Sequence, residues 1–89
     1  MKVVFDKSFL KSIKKIKNTE VEQSIATVIQ EVEQAHSIRD ILSVKKLQGY
    51  KSYYRIRVGS YRIGIKLIDK TTVEFIVTAS RDEIYRIFP

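Results

Sequence analysis

An α+β domain, with two helices covering one face of a mostly antiparallel sheet, is the fold this sequence predicts, and three features carry that expectation. Before residue 36, apolar side chains recur at helical spacing in two runs divided by Asn18-Thr19. From Tyr53 to Ala79 the period changes to two, as in half-buried strands. Within that alternation Gly59-Ser60 reads as a two-residue hairpin turn. The resulting order, β-α-α-β-β-β-α, segregates helices from strands and so places the helices together on the sheet.

Lys2-Val3-Val4-Phe5 reads as a short first strand. Asp6 or Ser8 caps the helix that follows, where Phe9, Leu10, Ile13 and Ile16 recur at helical spacing. A second helix runs from about Glu20 to Ala35, with Val21, Ile25, Val28, Ile29 and Val32 as its buried stripe. Thr19 with Glu22 fits a capping box at its start. Between Ser37 and Lys51 no period is sustained. There Ile38, Ile41, Leu42, Val44 and Leu47 read as anchors of a connecting segment with one helical turn, and Gly49 ends it.

The hairpin that follows has one apolar and one cationic face. A turn at Gly59-Ser60 pairs Val58 with Tyr61, Arg57 with Arg62, Ile56 with Ile63 and Arg55 with Gly64. Tyr54, Ile56, Val58, Tyr61, Ile63 and Ile65 then face the core, and Arg55, Arg57, Arg62 and Lys66 face away. Two guanidinium groups held ~5 Å apart on a sheet repel by roughly 1–3 kcal/mol at effective dielectrics of about 80 to 20. Such a cluster suits a polyanion. A third strand is expected at Thr72–Ala79. A three-residue loop, Asp69-Lys70-Thr71, pairs Lys66 with Glu74, Gly64 with Ile76 and Arg62 with Thr78, leaving Val73, Phe75 and Val77 on the core face. The chain closes in a helical turn over Arg81–Phe88, stopped by Pro89. The face opposite the helices is expected to stay open.

At 89 residues the sequence predicts one domain, residues 1–89. It has no cysteine, so disulfides and thiolate metal sites are excluded. No apolar run approaches the ~20 residues needed to span a bilayer, and Asp6 and Lys7 interrupt any leader-like start, so a cytoplasmic location is expected. The net charge of +7 is concentrated: between Ile41 and Ile68 there is no acidic residue, while Lys45, Lys46, Lys51, Arg55, Arg57, Arg62 and Lys66 all fall there. This is the footprint of a nucleic-acid surface, or of an acidic protein competing for it. The scattered Asp6, Asp69 and Asp82 make no metal-ligand pattern, and His36, the one histidine, reads as a solvated or helix-capping residue. Lys7, Lys11, Lys14, Lys15 and Lys17 read as a solvated helix face, with a secondary RNA-contact patch as the less favoured alternative.

Three motifs together resemble the RelE/ParE toxin superfamily, on its RelE side: Lys46-Leu47-Gln48-Gly49, the run from Tyr54 to Ile63, and Arg81-Asp82-Glu83-Ile84-Tyr85-Arg86. The resemblance covers essentially the whole chain. It implies the toxin of a type II toxin–antitoxin pair, a metal-independent endoribonuclease without cofactor that cuts messenger RNA in the ribosomal A site. The RNA's own 2′-hydroxyl attacks the adjacent phosphate in such enzymes. Carried over by motif, the site residues are Arg55, Arg57, Arg62, Arg81 and Tyr85; the basic window itself adds Lys45, Lys46, Lys51, Tyr53 and Lys66 as further RNA contacts. The implied partners are the ribosome, its mRNA and a cognate antitoxin, acidic or partly disordered, that folds as it binds. Alternatives within the same fold are a ParE-like inhibitor of DNA gyrase and a silent member that only binds RNA or antitoxin.

The residue chemistry agrees with part of this. Arginine forks fit phosphate oxygens, and fixed cations stabilise the extra charge of a pentavalent state. Gly64, across from Arg55, is expected to leave an open spot for a phosphate. Two departures from the family stand out. Relatives often carry lysine where Arg55 and Arg57 stand, and histidine where Ser80 stands. Arginine does not release its proton, so the set leaves Tyr85 as the only acid/base side chain and the general base unassigned.

Overall fold

The computed structural model describes all residues, Met1–Pro89. Its elements are β1 (Lys2–Phe5), α1 (Lys7–Lys14), α2 (Thr19–Gln34), a 3-10 turn (Ile38–Asp40), β2 (Val44–Lys46), β3 (Tyr53–Val58), β4 (Tyr61–Asp69), β5 (Thr72–Ser80) and α3 (Ile84–Ile87). The five strands lie in the order β1-β5-β4-β3-β2. Only β1, which runs parallel to β5, departs from antiparallel pairing. No helix is long and apolar enough to cross a membrane.

Local chemistry explains the helix boundaries. Asp6 caps α1 by accepting the Ser8 N–H at 3.0 Å. The side-chain and then the backbone bonds from Ser8 hold this carboxyl below its ordinary pKa. Its contribution to stability is therefore present above the unfolded-state pKa and lost as pH falls through the lowered value. At α2 the cap is Asn18, whose Oδ1 accepts from Glu20 and Val21 at 2.9 and 3.2 Å. Thr19 is already helical, so the expected Thr19/Glu22 capping box does not form. Asn18→Ala is expected to cost about 1 kcal/mol in urea unfolding. Thr19→Ala should cost no more than a few tenths of that.

The main core lies between the helices and the sheet. Phe9, Ile16, Ile25 and Val32 from the helices meet Ile56, Val58, Ile63, Ile65, Val73 and Phe75 from the strands. Phe9 and Phe75 meet edge to face, with centroids 5.3 Å apart. The β3–β4 register is the expected one at every named pair. The β4–β5 register departs from expectation twice. The connecting loop closes on Asp69 opposite Thr72, one residue shorter than expected. A bulge at Ile68 nonetheless restores Leu67 opposite Val73 and Lys66 opposite Glu74, keeping Val73 in the core. A second irregularity, between Gly64 and Ile65, leaves Ile76 as the extra residue of β5. Beyond it Gly64 faces Val77 and Arg62 faces Ala79, not Ile76 and Thr78.

That second bulge exchanges the faces of Val77 and Thr78. Thr78 is buried opposite Ile63, its N–H donating to Ser12 Oγ and its hydroxyl to the Arg62 carbonyl. Val77 instead joins a second small cluster, where Leu47, Ile84 and Phe88 pack with Tyr53, Ile76 and Ala79. The arginine-bearing face is therefore not open throughout, because the chain's last helical turn covers one end of it. The helical part of that turn is also shorter than the expected 81–88. One strand, β2, was not expected at all. Its three residues pair Val44 with Ile56, Lys45 with Arg55 and Lys46 with Tyr54.

Candidate active site

The hairpin sets Arg57 directly opposite Arg62, and Arg55 one pair further along the same face. Arg62 is partly buried and its Nη1 donates to the carbonyls of Gly59 and Tyr61, both at 2.9 Å. The left-handed φ of Gly59 (+59°) forms the tight turn that brings those carbonyls round. Arg81 follows β5, and its N–H donates to Ser60 O at 2.9 Å, which ties the C-terminal segment to the hairpin turn. Tyr85 then projects from α3 and is 60% exposed.

The grouping is felt electrostatically at Arg62. Burial pushes the Arg62 pKa down, and the charges of Arg55, Arg57 and Arg81 push it the same way, opposed by Tyr85. All four other candidate side chains thus act on Arg62. The guanidinium remains charged at neutral pH, so what the cluster stores is positive potential, not a proton switch.

Arg55 is oriented by a residue that its motif does not reveal. Its Nη1 donates to Ser43 O at 3.3 Å, and the same carbonyl accepts the Arg57 N–H at 3.1 Å. Ser43, just before β2, takes a left-handed φ of 59°, and its carbonyl is turned toward β3. Nothing in the sequence marks Ser43 for this conformation. The Nε of Arg55 is buried and donates to no protein group, leaving a hydrogen-bond donor beside the cluster. A cleft of about 180 Å³ opens here, lined by Arg55, Tyr85, Lys45, Lys46, Leu47 and Gln48.

The further RNA contacts divide. Lys45 and Lys46 line the cleft. Lys51 is exposed in the connection before β3. Tyr53 packs edge to face against Phe88 (5.6 Å) and Tyr50 (6.0 Å). Lys66 lies opposite Glu74 but turns its Nζ over the Tyr53 ring, 5.6 Å from the centroid. Tyr53 thus anchors the C-terminal turn, with Lys66 laid over it. Gly64 has a role other than the expected one. A Cβ there would meet the Phe88 ring at 2.7–2.8 Å, so the space is taken by that ring and no phosphate can approach. No three His, Cys, Asp or Glu side chains gather as metal ligands.

The fold is a helical pair on a five-stranded sheet, with an arginine cluster at one end of the opposite face. The chain belongs to the RelE and ParE family: the family model described as the ParE toxin of the type II toxin–antitoxin system, parDE, matches residues 3–85. It is a toxin of the RelBE type. It is 41% identical over 90 residues to Toxin RelE3 of Methanocaldococcus jannaschii, spanning 100% of both chains. Among solved structures it resembles the RelB-RelE antitoxin-toxin complex from Methanococcus jannaschii, with a TM-score of 0.79 and 37% identity over 97% of this chain and 99% of that one. The intact E. coli RelBE complex gives a TM-score of 0.70 at 27% identity, covering 89% and 94%.

Proposed function

We infer that this toxin is a ribosome-dependent endoribonuclease that cleaves messenger RNA in the A site by 2′-hydroxyl attack on the scissile phosphate. The convergence of Arg55, Arg57, Arg81 and Tyr85 on Arg62 carries this reading. Attack of the 2′-oxygen adds negative charge at phosphorus, and cations fixed beforehand stabilise that state more than the ground state. Arg55 and Arg62 are held by backbone carbonyls, so their forks need little reorganisation when the phosphate arrives. Arg57 is exposed and free to engage the phosphate, and Arg81 adds a fourth cation from beyond β5. Tyr85, beside the cations, transfers a proton or stacks on a base. No metal is needed, since the charge of one would be redundant with four guanidinium groups.

The toxin's partner is a cognate antitoxin, as in the RelB-RelE complexes it resembles. An acidic, partly disordered antitoxin that folds on this basic surface would neutralise it by covering the arginines or by displacing α3. The cell compartment is then the cytoplasm, where ribosomes are met. A gyrase inhibitor is the second reading, because the matching family description is that of ParE.

Purified protein added to ribosomes programmed with a defined message separates the two. Cleavage within the A-site codon, mapped by primer extension, is the expected outcome, with the Arg55→Ala/Arg57→Ala double variant at least ~100-fold slower. Intact messages together with inhibited gyrase supercoiling would favour the ParE-like reading.

A further inference from the structure

The site as read from its motifs has arginines for charge but no amine to move a proton. β2, the strand absent from the sequence expectation, brings one in. Lys45 stands directly opposite Arg55 in the β2–β3 ladder and so shares its face, and it lines the same cleft as Arg55 and Tyr85. Because β2 is the sheet's last strand, the exposed Lys45 side chain is free to swing toward a bound phosphate. The other lysines are placed differently. Lys46 also borders the cleft, but it pairs with Tyr54, whose side chain belongs to the helix-facing core, and not with Arg55. Lys66 is engaged over the Tyr53 ring, and Lys51 does not line the cleft.

The geometry points to Lys45 as the proton donor to the leaving 5′-oxygen. This rests on the endoribonuclease reading above. As the 2′-oxygen bonds to phosphorus, the P–O5′ bond breaks and its electron pair leaves on the 5′-oxygen. That oxygen takes a proton from the Lys45 ammonium. The products are a 2′,3′-cyclic phosphate and a 5′-hydroxyl. The 2′-hydroxyl proton passes to water, and the Lys45 amine regains one from water, so no further reactant is consumed. A guanidinium cannot make this transfer, whereas an ammonium can. The groups facing Lys45 in the cleft are Arg55 on β3, Tyr85 on α3 and Lys46 and Gln48 beside it. All are cationic or neutral, so no carboxylate competes for its proton.

The test compares Lys45→Arg and Lys45→Met with wild type in single-turnover cleavage on programmed ribosomes, using two messages. One carries the normal 5′-oxygen at the scissile bond. The other carries a bridging 5′-sulfur, whose thiolate leaves without a proton. At saturating toxin, where any loss of ribosome affinity no longer limits the rate, both variants should cut the oxygen message about 100-fold more slowly. Both should cut the sulfur message within several-fold of the wild-type rate. Wild-type speed for Lys45→Arg on the oxygen message, or an equal loss on both messages, overturns the assignment. Should wild type cut neither message, the endoribonuclease reading itself fails, a result distinct from either of these.

Discussion

Replacing Arg62 by alanine is expected to lower cleavage on programmed ribosomes by about 10²–10³-fold without lowering the melting temperature. The two halves of this expectation have one cause. Arg62 sits opposite Arg57 and is depressed in pKa by its own burial and by three neighbouring cations. Removing it withdraws the most central cation from the phosphate site and also removes repulsion of roughly 1–3 kcal/mol per close pair. The lost bonds to the Gly59 and Tyr61 carbonyls offset part of that gain. Arg57→Ala, which loses no recorded hydrogen bond, should therefore show the clearer rise in melting temperature. Site groups that cost stability are the usual mark of a surface held in place for function. Thermal unfolding and single-turnover kinetics on the same preparations check both halves. A parallel fall in stability and activity would mean the arginines are structural.

The second large effect is expected at Gly64, which carries no charge itself but lies opposite Arg55 in the β3–β4 ladder. Gly64→Val places a branched side chain where a single Cβ already meets the Phe88 ring at 2.7 Å. Overpacking of this kind costs typically 1–3 kcal/mol, and here it is relieved by lifting the last turn of the chain off the sheet. Ile84 and Phe88 are buried in the small cluster on that face, and Tyr85 lies between them in sequence. Displacing them moves Tyr85 away from Arg62 and opens the cleft. A loss of cleavage of at least ~10-fold is expected beside the lost stability. Phe88→Ala should lower stability by about 3–5 kcal/mol, because the ring is buried in the small cluster on that face. Combining Gly64→Val with Phe88→Ala should recover some of the stability lost in the single variants, because the new side chain occupies the emptied space. Additive losses in that double variant would show that the two residues do not share one volume.

What was legible in the sequence, and what was not, follows from the range over which each signal acts. The β3–β4 register was fixed by the Gly59-Ser60 turn and strict alternation on both sides, and it held at every pair. The β4–β5 register was not, because Thr72–Ser80 is apolar at consecutive positions from Phe75 to Val77 and offers no alternation to reveal a bulge at Ile76. Strand β2 is three residues long, too short for a period, and exists because β3 supplies its partner. The capping box at Thr19 lost to Asn18 one residue earlier, whose amide oxygen reaches two N–H groups at once. The arginine cluster itself was readable from local pattern. Its surroundings depended on long-range packing: Ser43 orienting Arg55, Phe88 filling the space over Gly64, and Lys45 joining the cleft.

The central claim is that the arginine face stabilises attack by the message's own 2′-hydroxyl. The most direct measurement uses ribosomes programmed with two messages, identical except for a single 2′-deoxy nucleotide on the 5′ side of the scissile phosphate. The account predicts cleavage of the all-ribose message to a 2′,3′-cyclic phosphate and 5′-hydroxyl, and no cleavage of the deoxy message at that bond. Cleavage of both messages at equal rates would contradict it, because the nucleophile would then be water or a side chain.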